Sequence, residues 1–173
     1  MAGLQDATVQ GVKKPEDQDM PALEQFHPMI LHFPIVLIMV LAAFDLVALF
    51  RGIPLGGRDT YASIATVLAV ATGIAAALTA MLGDMALEIA LTRGFAPGLF
   101  ETHEALGWNT AIAFGIWALI RAGIWWRQIP LEGGRKWGVG AVDVALVLFV
   151  VSVAYFGGQL VYDHGVNVIA SAN

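Results

Sequence analysis

Residues 28–50 read PMILHFPIVLIMVLAAFDLVALF, an apolar run broken only by His32 and Asp45 and closed by Arg51-Gly52-Ile53-Pro54. A helix rises about 1.5 Å per residue, so a run of this length crosses the roughly 30 Å of a bilayer's hydrocarbon core. Further runs of similar length follow: Tyr61 to Leu82, closed by Gly83-Asp84; Glu101 to Trp126; and Val139 to Tyr162. The runs are continuous, not alternating, which excludes the strands of a membrane barrel and leaves helices. We therefore expect an all-α fold, a membrane-spanning four-helix bundle, with helices at about 28–51, 60–83, 101–127 and 138–163.

The whole-chain numbers agree. Hydrophobic residues make up 58% of the sequence and charged residues 13%, about half the charge a soluble domain needs to cover its surface. The net charge of −5 comes with no basic stripe, so nucleic acid is not an expected partner; the lipid bilayer is. There is no cysteine. Disulfides, cysteine-held iron–sulfur clusters and covalent haem attachment are thereby excluded, and any metal must be held by His, Met, Asp or Glu.

Residues 1–25 form a polar, acidic extension with Lys13-Lys14 followed by Glu16, Asp17, Asp19 and Glu24. It lacks the apolar core of a cleavable signal peptide, and its composition fits a segment that orders only against a partner. The transmembrane domain spans 26–167, and 168–173 form a short carboxyl-terminal tail.

Basic residues set the expected orientation. The first connection carries Arg51 and Arg58; the third carries Arg121, Arg127, Arg135 and Lys136; the second carries Arg93 against Glu88, Glu101 and Glu104. The first and third connections are thus expected in the cytoplasm, with both termini on the non-cytoplasmic side. Trp125, Trp126 and Trp137 then fall in the inner aromatic belt, and Trp108 and Tyr162 in the outer one.

This orientation gathers all four histidines in one outer layer. His27 and His32 open the first helix, His103 opens the third and His164 closes the fourth, with Asp84, Glu88, Glu101, Glu104 and Asp163 beside them. Pro28 makes His27 a cap outside the helix. Pro34 lacks a donor and clashes with the carbonyl of Ile30, so the helix should bend or restart near His32. Gly107 lies four residues inward from His103, and Gly157 seven inward from His164. Each is read as a side-chain-free patch beneath its own imidazole, with room for a flat group such as a porphyrin. Ionisable groups within a membrane are costly and default to function, and bundle cores hold cofactors between opposed helices.

The expected function is a membrane electron-transfer or anchor subunit holding b-type haem at the outer end. The expected axial ligands are His32, His103 and His164, with His27 the fourth candidate and the candidate ligand of a second haem. Asp163, Glu104 and Asp84 would orient the imidazoles. The competing readings are a cofactor-free structural or assembly subunit and a non-haem zinc or copper site. A stand-alone enzyme is disfavoured, since no nucleophile or substrate path is evident.

Two further features qualify this. Ala65, Ala69, Gly73, Ala76, Ala80 and Gly83 form a small-residue ridge on helix two, read as a helix–helix seam in preference to a wall beside a cofactor. Asp45 and Asp143 lie inside apolar runs near the cytoplasmic ends, at depths similar to Arg51 and Arg121. An ion pair is the default reading, and a cytoplasmic proton path the alternative.

The motifs at the ends of the domain are also familiar. His27-Pro28-Met29-Ile30-Leu31-His32-Phe33-Pro34-Ile35 resembles the HP..VHFPI opening of a family of bacterial four-helix predicted membrane proteins of unknown function. Gly157-Gly158-Gln159-Leu160-Val161-Tyr162-Asp163-His164-Gly165-Val166 is similar to its GG.LVY.HGV closing motif, and His103-Glu104-Ala105-Leu106-Gly107 to its middle H..LG element. The resemblance covers residues 27 to about 167. It implies a multi-pass protein of the bacterial inner membrane, with the histidine motifs as the family's signature. It also implies an association with other membrane or periplasmic subunits, such as c-type cytochrome or dehydrogenase modules. It implies no activity, and the acidic extension falls outside its pattern.

Overall fold

A computed structural model of the chain describes residues 23–166. The extension up to residue 22, expected to order only against a partner, and the tail at 168–173 therefore lie outside the described residues. The described elements are α1 (Leu23–Ile30), α2 (His32–Arg51), α3 (Thr60–Thr92), a short 3₁₀ turn (Pro97–Leu99), α4 (Glu101–Trp126) and α5 (Gly134–Tyr162). Four helices are long and apolar enough to cross a membrane: Phe26–Arg51 (α1 and α2 together), Thr60–Thr92, Glu101–Trp126 and Gly134–Tyr162.

The first span breaks at Leu31 and restarts at His32. Pro34 has no N–H to give to the Ile30 carbonyl, so the helical ladder cannot run unbroken through this turn. The break lets α1 pack against α3, while α2 touches both α3 and α5. The α3–α4 contact is the broadest, and α4 also meets α5, so α2 through α5 form a closed ring.

The α3–α4 seam is built from small residues. A Cβ on Gly73 would stand 3.0 Å from Ala118 Cβ and 3.3 Å from the Phe114 carbonyl, and Ala65, Ala69 and Ala76 of the same ridge are buried. Close backbone approach is how helices gain packing energy where lipid already satisfies apolar side chains. The bundle covers between 28% and 39% of each apolar span. Phe50, Val67, Leu119 and Leu148 remain exposed on its outside, a surface that suits lipid and not water.

Two differences from the sequence reading concern the histidine end of the bundle. His27, expected to cap the helix from outside, lies within α1. α3, expected to stop at 83, continues to Thr92. Gly83 is not a stop signal here; its missing side chain makes room for a neighbouring ring. The added turns bury Ala86 and Ala90, and Ala90 packs with Phe100, Leu160 and Val166 in a small apolar cap.

At the opposite end the first and third connections pack on each other. Gly52 closes α2 at a φ of 68°, a left-handed turn that favours glycine. A Cβ on Gly56 would fall 2.9 Å from Leu131 N and closer still to the Ile129 carbonyl. Arg58 donates to the Trp126 carbonyl at 2.9 Å and lies 4.7 Å from the centre of the Trp125 ring. It thus supplies a cation to the carboxyl end of α4, where helix carbonyls lack partners.

Candidate functional site

Four helices contribute to the histidine end. α1 brings His27 against α3, and the His27 ring fills the space above Gly83: a Cβ there would stand 3.1 Å from His27 Cε1. One turn earlier on α3, the Thr79 carbonyl lies 3.0 Å from His27 Nδ1. A carbonyl only accepts, so Nδ1 carries the proton and Nε2 keeps the lone pair.

α4 and α5 repeat the arrangement. His103 fills the space above Gly157, where a Cβ would stand 2.9 Å from its Cε1. His103 Nδ1 is buried and makes no hydrogen bond of good geometry; the carbonyl of Val153, one turn before Gly157, is the acceptor beside it. Each ring thus covers a glycine of the facing helix, and the carbonyl four residues before that glycine bonds His27. The two imidazole planes stand nearly perpendicular, at 87°, with centroids 6.3 Å apart.

The remaining candidates are distributed around this pair. His164 is exposed and lies just beyond the end of α5, where it lines a cavity of about 180 Å³ with His103, Thr102, Phe156 and Gln159. His32 is exposed at the start of α2, and its side chain has no hydrogen bond or ring contact among the described residues. Asp84 accepts from the Trp108 indole N–H at 3.1 Å, which ties α3 to α4 and does not orient an imidazole. Glu104 and Asp163 are exposed, and neither bonds a histidine among the described residues.

The glycines also differ from the sequence reading. Gly157 is covered by His103 of the facing helix, not left free beneath His164. Gly107, by contrast, faces open space. The pairing of His27 with His103 was not anticipated. Its signal in the sequence is a histidine at the mouth of one helix and a glycine at matching depth on another, which becomes readable only once the helix neighbours are known. Among the described residues, no three His, Asp or Glu side chains lie close enough together to hold a metal ion.

The chain belongs to the family described as predicted membrane protein (DUF2231), whose model matches residues 24–170. Neither the curated proteins nor the solved structures contain a match to it.

Proposed function

We propose that this protein is a membrane electron-transfer or anchor subunit that holds one b-type haem between His27 and His103 at the outer end of the bundle. The observation that carries this is the imidazole pair. Two imidazoles on one metal, each with a bond of about 2 Å, hold their ring centres roughly 6 Å apart. The separation here is 6.3 Å. Metal-ligating histidines usually give their second ring N–H to a carboxylate or a backbone carbonyl, the relation that His27 Nδ1 has with Thr79.

The number of donors also favours haem over a bare ion. A tetrahedral zinc site takes three or four protein ligands, and no such group exists among the described residues. Haem needs only two axial ligands, because the porphyrin supplies the others. When bound, it would supply one-electron chemistry, while the chain sets its position and potential. The cavity of about 180 Å³ beside His103 is smaller than usual ligand pockets. Gly107, one turn along α4 from His103, faces open space on this side of the pair. His164 and Gln159 would lie at the edge of the bound macrocycle. His32 is left for contacts with lipid or a partner subunit.

The test is an ultraviolet–visible spectrum of purified protein, oxidised and then reduced. Six-coordinate b-type bands are expected, extractable because no cysteine binds the group. His27→Ala and His103→Ala should each abolish or shift them, while His32→Ala leaves them. A folded, colourless protein with bound zinc or copper would move the site to the non-haem reading. A colourless, metal-free protein would leave the pair as a packing device in a structural subunit.

A further inference from the structure

The other polar cluster lies deep in the bundle, toward the end opposite the histidines. Asp45 of α2, Arg121 of α4 and Asp143 of α5 are each 1% exposed or less. Arg121 Nη1 donates to Asp45 Oδ2 in a buried ion pair. The Trp117 indole donates to Asp143 Oδ1 at 2.8 Å. The Arg121 guanidinium also lies 5.9 Å from the centre of the Trp117 ring, so both carboxyls belong to one cluster around this cation and its neighbouring indole.

Counting charges shows what is missing. Two carboxylates and one guanidinium leave one uncompensated negative charge inside a membrane bundle, where an unpaired charge costs several kcal/mol. The other ionisable groups nearby do not remove it. Tyr61 of α3 is neutral and donates its hydroxyl to the Phe44 carbonyl, and Arg51 is exposed at the end of α2. Asp45 Oδ1 and Asp143 Oδ2 are both buried without a partner. Ionised, both could only accept, and two neighbouring acceptors repel. A single proton converts one of them into a donor to the other. It pairs both orphaned oxygens and brings the net charge of the cluster to zero.

We propose that Asp45 and Asp143 form a proton-binding site within the membrane-spanning bundle, one exchangeable proton being shared between the two carboxyls. The site is separate from the histidine end, since Arg121 is eighteen residues from His103 along α4, about 27 Å. It lies about 8 Å from the other end of that helix, the shorter way to solvent. Arg121 Nη2, also buried and unpartnered, needs an acceptor that a water entering from that end would supply.

Infrared spectroscopy of the full-length protein in lipid tests this directly. At neutral pH the carbonyl stretch of one protonated carboxylic acid is expected. It should shift when isotope-labelled aspartate is incorporated, and shift again on transfer to D₂O. Asp45→Asn and Asp143→Asn should each remove it, because either variant pairs one carboxylate with one guanidinium and needs no proton. Asp143→Asn, which leaves the Asp45–Arg121 ion pair intact, should therefore keep the wild-type melting temperature, whereas Asp45→Asn and the double variant, which remove the carboxylate bonded to Arg121, should melt below it. Absence of the band from unmodified protein would overturn the proposal, since the charge is then balanced by a bound cation or not at all. A band that persists in both single variants would overturn it too. A band that fails to shift in D₂O over a day would overturn the exchangeable site, leaving a locked structural acid.

Discussion

At Gly157 and Gly83 the missing side chain is the feature that matters, because an imidazole from another helix occupies its place. Gly157→Ala would put a methyl 2.9 Å from His103 Cε1, and overpacking of this kind costs about 1–3 kcal/mol. We expect Gly157→Ala to lower thermal stability by that order. Gly107→Ala meets nothing within 4 Å and should be neutral, or stabilising by up to about 1 kcal/mol, because alanine suits a helix better than glycine. Melting curves in detergent of the two variants check the contrast; equal losses would mean that His103 does not sit on Gly157. Arg121→Met leaves a buried carboxylate without its cation, a change that typically costs about 3–5 kcal/mol. Denaturant titration should show it to be the most damaging of these substitutions. The histidine layer was legible in the sequence because each histidine stands at the mouth of an apolar run. Which rings face each other was not. The spacing of seven between Gly157 and His164 implies a shared face only if the helix reaches both, and α5 ends at Tyr162. His164 is therefore outside the periodicity used to place it.

The same contrast holds for whole elements. Apolar length alone located four spans, and the missing donor of Pro34 located the break at Leu31. Gly83-Asp84 looks like a helix stop, yet α3 runs through it to Thr92. Both residues are instead engaged side by side, Gly83 beneath His27 and Asp84 with Trp108. An isolated-chain reading sees glycine's weak helix propensity and not the ring that requires it. The small-residue ridge was read as a seam, and it is one. Gly73→Val should test how much the α3–α4 seam carries. Its branched side chain would collide with Ala118 and the Phe114 carbonyl, forcing the two helices apart at their closest approach. A loss of about 1–3 kcal/mol is expected, read as a lower unfolding midpoint in detergent. Ile74→Val, on the exposed neighbouring position, should leave the midpoint unchanged. If Gly73→Val were equally silent, the seam would be loosely packed and the ridge would have another use. Pro34→Ala restores the donor that Ile30 lacks, so α1 and α2 should fuse into one helix. That would turn His27 away from Gly83, with loss of whatever the imidazole pair binds while the four spans persist.

For the whole molecule, orientation decides which compartment each polar layer meets. The end formed by the packed first and third connections carries Arg51, Arg58, Arg127, Arg135 and Lys136, with Arg58 bonded to the end of α4. The histidine end carries Arg93 among Asp84, Glu88, Glu101, Glu104 and Asp163. Short connections rich in Lys and Arg are retained in the cytoplasm during insertion. The chain should therefore place the imidazole pair on the outer side and the Asp45–Arg121–Asp143 cluster near the inner one. This can be read without purifying the protein. A reporter active only outside the cytoplasm should work when fused after Asn173 and fail when inserted at Gly133, and a reporter active only inside should give the reverse. Arg and Lys at 51, 58, 127, 135 and 136 are the cause assigned to this outcome. Neutralising them together while adding basic residues between 94 and 99 should weaken or invert it. If the unaltered protein gave the inverted pattern, the imidazole pair would face the cytoplasm and an outer electron carrier could not reach it. The buried carboxyl pair would then exchange its proton with the outer side.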